Sequence, residues 1–381
     1  MSKPLAIGLI ILFIGIIAIG IVLLASQNGP GNVQAPEPNN QGSSFPQSQT
    51  QNPPPTSSGI LPSERDLIKI TNGAISGFTP ATAGVRFIEK TTGHVFDSSA
   101  DGQTQIKISN TTIPQSIDAL WSENENYAIL RYRENEEIKT VLSQFGNSKT
   151  DGVILPTDIL SFSYAPERLR VFYTVPGDND IIGIAASTDN TAQTQVVRLP
   201  DTNFVVEWYS PREISFLTPP SAFAAGFLYR YNIDVGSFEK LLGNIPGLDI
   251  AWSKNKRRIL FSQSNAGTGK SNLFVFNLQT GTVEDLGTEG LAQKCVWEDD
   301  IVVYCGIPTT MSRGSYPDDW FSGSVTLNDR IWWINTSSFE KTIVKTLPDI
   351  DVAEIRISDA ADHLFLTNKK DGTLWSVHLN E

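Results

Sequence analysis

Residues 248–287 read LDIAWSKNKRRILFSQSNAGTGKSNLFVFNLQTGTVEDLG, and the fold follows from how this stretch is punctuated. Asp249–Ser253 and Arg258–Ser262 are short apolar-rich runs separated by a polar turn. Leu273–Asn277 is a third run and Thr282–Leu286 a fourth, with Gln279, Thr280 and Gly281 turning between them. Strands this short, bounded by Gly, Asn and Ser, predict a four-stranded antiparallel meander.

Weaker copies of the same unit tile the chain in both directions. Trp252 marks the first strand here. Equivalent positions are Phe78, Trp121, Tyr164, Tyr209, Trp297 and Ile357, at spacings of 43, 43, 45, 43, 45 and 60 residues. A period in the mid-forties with four strands per unit indicates a β-propeller. A large ring at six of the seven markers fits the tapering gap between neighbouring sheets, so these rings are read as core. The last unit supplies Val352–Ser358, His363–Thr367 and Thr373–Leu379 and stops one strand short. The missing outer strand is RDLIKIT, residues 65–71, just before the first marker. Pairing it with 373–379 would remove two exposed edges. The expectation is an all-β, seven-bladed β-propeller with Velcro closure.

Two segments precede it. Residues 5–25 are 21 consecutive uncharged, mostly aliphatic residues, more than the roughly 18 a spanning helix needs. A signal peptide would carry a shorter apolar run of about 7–15 residues and a small-residue cleavage site. Leu23-Leu24-Ala25 is a poor one, so an uncleaved transmembrane anchor is expected. Lys3 lies before it, and no basic residue follows until Arg65. The positive-inside bias puts residues 1–4 in the cytoplasm and the rest outside the cell membrane. Residues 26–62 are rich in Pro, Gln, Asn, Ser and Gly with one charge, Glu37, the composition of a disordered linker. As a flexible coil it would reach ~30–35 Å. The propeller is assigned to residues 63–381.

The net charge of −12 and pI near 4.8 argue against nucleic acid, whose phosphates need clustered Lys and Arg. His94, His363 and His378 show no metal-ligand spacing. No cofactor or metal is expected, and there is no GxSxG, HExxH or Cys–His pairing.

WSKNKRRILFS together with LFVFNLQTGTVEDLG (252–287) resembles TolB-like and related WD-type propeller repeats. Pro80, Pro166 and Pro211 stand where that repeat places its proline. The Asp-Gly of the family's turn is absent throughout, and TolB-type propellers have six blades. The resemblance covers residues 65–379 and implies fold, with no catalytic residue to carry over. As a whole the chain also resembles membrane-anchored bacterial propeller proteins.

In a meander, the connections between second and third strands share one face with the links between blades. These vary most here: Pro219–Gly226, Ser264–Lys270, and the insertion from Ile307 to about Asn328. Length variation on one face of a rigid scaffold marks the expected binding surface. The insertion groups Tyr316, Asp318, Asp319, Trp320 and Phe321. Rings beside carboxylates can stack on sugars or cationic peptide groups, or the loop can fold back and plug the channel mouth with Trp320 and Phe321.

Three further motifs point elsewhere. SNAGTGKS, ending at Ser271, imitates a phosphate loop but has Ser264 where the first glycine belongs, and no helix follows. Asp97, Ser99, Asp101 and Gly102 imitate a calcium loop whose twelfth position is Ile108 rather than an acid. Cys295 and Cys305 face each other if their hairpin centres on Asp300, and they then form either a disulfide or two buried thiols. The expected role is a membrane-tethered extracytoplasmic module that binds a protein, peptide or glycan partner. The alternatives are a scaffold subunit of an envelope assembly or an extracytoplasmic hydrolase or lyase.

Overall fold

A computed structural model describes residues 67–146, 149–166, 169–200 and 203–379. The anchor expected at 5–25, the preceding residues 1–4 and the linker at 26–62 lie outside the described residues. Among the described residues no helix is long and apolar enough to cross a membrane.

The chain opens with β1 (Leu67–Lys69). Blade 1 is β2 (Ile75–Ala81), β3 (Gly84–Glu89), β4 (Val95–Ser98) and β5 (Gln105–Lys107). Blade 2 is β6 (Ser116–Trp121), β7 (Tyr127–Glu134), β8 (Glu137–Gly146) and β9 (Lys149–Ile154). Blade 3 is β10 (Ser161–Tyr164), β11 (Arg170–Pro176), β12 (Ile181–Ser187) and β13 (Thr194–Leu199). Blade 4 is β14 (Val205–Ser210), β15 (Glu213–Leu217), β16 (Ala225–Asn232) and β17 (Ser237–Pro246). Blade 5 is β18 (Asp249–Trp252), β19 (Arg258–Asn265), β20 (Lys270–Asn277) and β21 (Thr282–Glu289). Blade 6 is β22 (Cys295–Trp297), β23 (Val302–Pro308), β24 (Asp329–Asn335) and β25 (Lys341–Thr346). β26 (Val352–Ile357), β27 (His363–Asn368) and β28 (Leu374–His378) belong to blade 7.

Each blade is a separate four-stranded antiparallel sheet, and β1 is the outer strand of the seventh. Its register is Leu67 opposite Val377, Ile68 opposite Ser376 and Lys69 opposite Trp375. The ring is therefore closed by the two ends of the domain, as the incomplete last repeat requires.

The core lies between blades. All seven marker residues are buried. Tyr209 of blade 4 and Trp252 of blade 5 stack with ring centroids 4.1 Å apart. Their surroundings mix Leu217, Leu228 and Leu242 from one sheet with Ile259 and Phe261 from the next. In six of the seven blades a ring of this kind fills the gap between neighbouring sheets, and Ile357 does so in blade 7. Close approach demands the opposite at Gly77: a Cβ there would lie 2.2 Å from the backbone oxygen of Ala119 on the neighbouring blade.

Connections between first and second strands are short in every blade, from residues 82–83 to residues 253–257 and 358–362. Those between second and third strands run from 135–136 in blade 2 to 218–224 in blade 4 and 309–328 in blade 6. One face is thus nearly level, and the other carries a large insertion.

Candidate functional site

The insertion folds over its neighbours. Its neck closes where the Thr309 amide donates to the Asn328 carbonyl at 2.8 Å. Within it a single turn of helix, α1 (Asp318–Phe321), carries four of the five residues singled out in the sequence, and Tyr316 lies two residues before it. Met311, Tyr316, Trp320 and Leu327 pack with Leu291 as a small apolar cluster of their own. Tyr316 and Trp320 are each only 1% exposed, so neither ring offers a face to a ligand.

The carboxylates beside them are engaged as well. Asp318 accepts from the Ser221 hydroxyl at 2.8 Å and the Ala222 amide at 2.7 Å, clamping the blade 4 loop onto α1. Asp319 accepts from the Ser315 amide at 2.7 Å within its own loop. Phe321 remains 42% exposed. Of the five, the structure leaves Phe321 displayed and uses the other four to hold the insertion in place.

Trp320 is fixed by a buried charge cluster. Its Nε1 donates to both carboxylate oxygens of Asp351, at 3.0 and 3.1 Å. Lys294 Nζ lies 2.7 Å from Asp351 and 2.8 Å from Asp329, and 5.2 Å from the Trp320 ring centroid. Lys369 Nζ approaches the same ring at 4.9 Å. Lys294 and Asp351 sit in the links that join blade 6 to its two neighbours. The insertion is therefore bolted to the scaffold where three blades meet.

A cleft of about 400 Å³ opens between the blade 4 loop, the β19–β20 hairpin and the insertion. Phe223, Pro246, Ala266, Lys270 and Arg313 line it. Phe223 is 78% exposed. The Gly314 amide donates to the Gly269 carbonyl at 2.8 Å, and the Ser264 hydroxyl donates to the Tyr316 carbonyl. These bonds tie hairpin and insertion into one wall. Here the SNAGTGKS segment forms a strand pair and turn: Asn265 Oδ1 takes the Gly267 and Thr268 amides. Its amides are thus spent internally and form no phosphate cradle.

A larger cavity of about 730 Å³ is lined by the inner strands of blades 2, 3 and 4, with Lys256 of blade 5 and Glu354 and Arg356 of blade 7, and reaches the short-turn face. Arg131 pairs with Asp118, and Arg356 with Glu354 at 2.7 Å. Glu207 projects among them, reached by water yet ringed by protein. Desolvation pushes its pKa up, against the pull of Lys256 and with the repulsion of Glu123. The calcium-like stretch is a polar turn: Asp97 pairs with Arg86 at 2.6 Å, and Asp101 accepts from the Ser99 hydroxyl and the Gln103 amide. Cys295 and Cys305 are opposed in register and joined as a disulfide.

Sequence reading missed Phe223, Arg313 and the Lys294 cluster. Arg313 is the one basic residue between 309 and 328, a usable signal. Nothing in the sequence announces that Lys294 is buried.

No protein-family model and no curated protein matches this sequence. Solved structures do. An oligogalacturonate lyase from Vibrio parahaemolyticus superposes with a TM-score of 0.56 at 8% identity, covering 84% of this chain and 99% of that one. A chain of the mitotic checkpoint complex gives 0.55 at 11%, covering 90% and 100%. TolB from Acinetobacter baumannii gives 0.46 at 11%, covering 69% of this chain, which spans 60% of TolB's length. It spans 34% of the tricorn protease, with a TM-score of 0.54 at 9% identity and 84% of this chain covered. At such identities the likeness to the lyase, the checkpoint-complex chain and the tricorn protease is one of fold alone.

Proposed function

We propose that this propeller is a membrane-tethered, extracytoplasmic binding module that engages a protein, peptide or glycan partner through the face carrying the blade 6 insertion. The observation that carries the reading is the clamp of Asp318 on Ser221 and Ala222. It joins two long connections from blades 4 and 6 into one surface and leaves Phe223 and Phe321 displayed on it. Displayed rings on rigid backbone lose little entropy on binding, which is how recognition surfaces concentrate affinity. The opposite face has only short turns.

Chain direction supports the same choice. β1 starts beside Val377, at the end of β28 next to the short turns, so the chain reaches the propeller at the face opposite the insertion. The tether itself rests on the sequence of residues 5–25 and 26–62. One neighbouring fold is an oligogalacturonate lyase in complex with manganese. Among the described residues no three His, Cys, Asp or Glu side chains come together as a metal-holding group here.

The test is site-specific photo-crosslinking on the full chain in intact cells. A photoreactive residue at Phe321 should yield a discrete adduct, whereas one at Val235, 76% exposed on the short-turn face, should yield none. Equal adducts at both positions, or none at Phe321, would overturn the reading. Alkaline extraction should leave the chain in the membrane fraction, and external protease should reach residues 26–62.

A further inference from the structure

We propose that the cleft between Phe223 and Arg313 receives a linear peptide segment of a partner protein in which an Asp or Glu side chain lies next to an apolar one. The inference rests on the insertion face being the binding face, and narrows it to a ligand class.

The apolar half of the argument is Phe223. Its loop follows Pro219 and Pro220, whose φ angles are fixed by their rings. The Ser221 carbonyl accepts the Gly247 amide at 2.7 Å, the Ser221 hydroxyl accepts the Phe223 amide at 3.2 Å, and Asp318 holds Ala222 at 2.7 Å. The backbone under the ring is tied at three consecutive residues, yet the ring itself is 78% exposed. An apolar side chain laid on it removes apolar area from water without ordering the loop.

The polar half is Arg313. It is exposed, and among the described residues no ion pair is formed by it. The other charged groups around the cleft are already engaged: Lys270 pairs with Glu289 at 2.6 Å, and the carboxylates of Asp318 and Asp319 are held by hydrogen bonds from the blade 4 loop and from Ser315. Gly269, at φ +66°, passes under the Arg313 stem, where a Cβ would lie 2.4 Å from Cγ. On a chain of net charge −12, an unpaired guanidinium is the local attractor for an anion. Guanidinium presents a planar fork that matches a carboxylate. A phosphate would call for further donors, but the hairpin amides are spent on Asn265 Oδ1 and Lys270 is spent on Glu289. The cleft volume of about 400 Å³ is that of a small pocket, sized for a few side chains of an extended segment.

The experiment uses the full chain in detergent and fluorescent dodecapeptides with acetylated N-termini and amidated C-termini, each holding one Asp or Glu beside Phe, Trp or Leu. Matched peptides carry Asn or Gln instead. Acidic peptides should bind at least tenfold more tightly than their amide counterparts. Arg313→Glu and Phe223→Ala should each weaken them about tenfold, with circular dichroism and melting unchanged because both side chains are exposed. Equal binding of acidic and amide peptides, no binding at all, or affinity within twofold in both variants would overturn the proposal. So would binding confined to peptides with a free C-terminal carboxylate. If such a result accompanies a persistent crosslink at Phe321, the face remains the binding face and only the ligand class falls.

Discussion

Lys294 Nζ lies 2.7 Å from Asp351 Oδ1, with both side chains wholly out of solvent. One ammonium serves two carboxylates, since Asp329 is 2.8 Å away on the other side. The excess negative charge is met by neutral donors: the Trp320 indole, the Leu327 amide and the Val352 amide. Among the described residues Asp329 Oδ1 finds no hydrogen-bond partner. Burial raises the Asp329 pKa, and Lys294 pulls it back down. The cluster fixes the insertion more than it stabilises the fold, because desolvating three charges offsets most of their mutual attraction.

Lys294→Met should accordingly cost about 3–5 kcal/mol, the range for removing one partner of a buried pair. Urea denaturation at pH 7.5 checks this. The loss should shrink at lower pH, because orphaned Asp329, whose pKa burial already raises, binds its proton more tightly folded than unfolded, and stability then falls as pH rises. Trp320 fluorescence should shift to the red as its loop loosens.

Asp249 begins the inner strand of blade 5, and its pKa is raised to about 6, chiefly by desolvation, against hydrogen bonds from the Ile250 and Gln293 amides. A raised carboxyl pKa means that the folded state holds the proton more tightly. Its contribution is full below the unfolded value near 4 and is lost as pH rises through about 6. Asp249→Asn should therefore stabilise the domain at pH 7.5, by up to about 3 kcal/mol, and change little at pH 4. Paired thermal melts at the two pH values measure it.

The ring closure predicts a third effect. The Ile70 amide donates to the Leu374 carbonyl at 2.8 Å, and the side chain is buried between blades 7 and 1. Ile70→Pro removes that donor together with most of the side chain's packing. A loss of about 3 kcal/mol or more is expected. Chemical denaturation should show it, with aggregation through the freed edge of β28.

Aromatic spacing reveals the blades because the inner strand of six of the seven repeats buries a large ring, with Ile357 taking that place in the last. The incomplete last repeat reveals the closure for the same reason: a missing strand must be supplied from somewhere. The opposition of Cys295 and Cys305 follows from a turn centred near Asp300, which the register shows. The fate of Trp320 is different. Its burial depends on Lys294 and Asp351, distant in sequence and charged, and a charged residue is ordinarily read as surface. The insertion's five grouped residues were therefore visible as a cluster, but not which of them face inward. Phe223 was equally opaque, since its exposure comes from a clamp supplied by another blade.

That clamp can be removed directly. Asp318→Ala deletes the acceptor for the Ser221 hydroxyl and the Ala222 amide. Both donors are only partly buried, so water can replace the carboxylate in part, and the expected cost is about 1–2 kcal/mol. Global melting should move little, because no strand pairing is touched. The local effect should be large: residues 218–224 lose their tie to α1, and hydrogen exchange at Ala222 should rise well above that of neighbouring strands. Peptide affinity should fall even though Asp318 need not contact the ligand, since Phe223 would then have to be ordered during binding. Asp318→Asn keeps one acceptor oxygen and should fall between the two. If exchange at Ala222 is unchanged in Asp318→Ala, the loop is rigid for another reason and the coupling between blades 4 and 6 is not the device that displays Phe223.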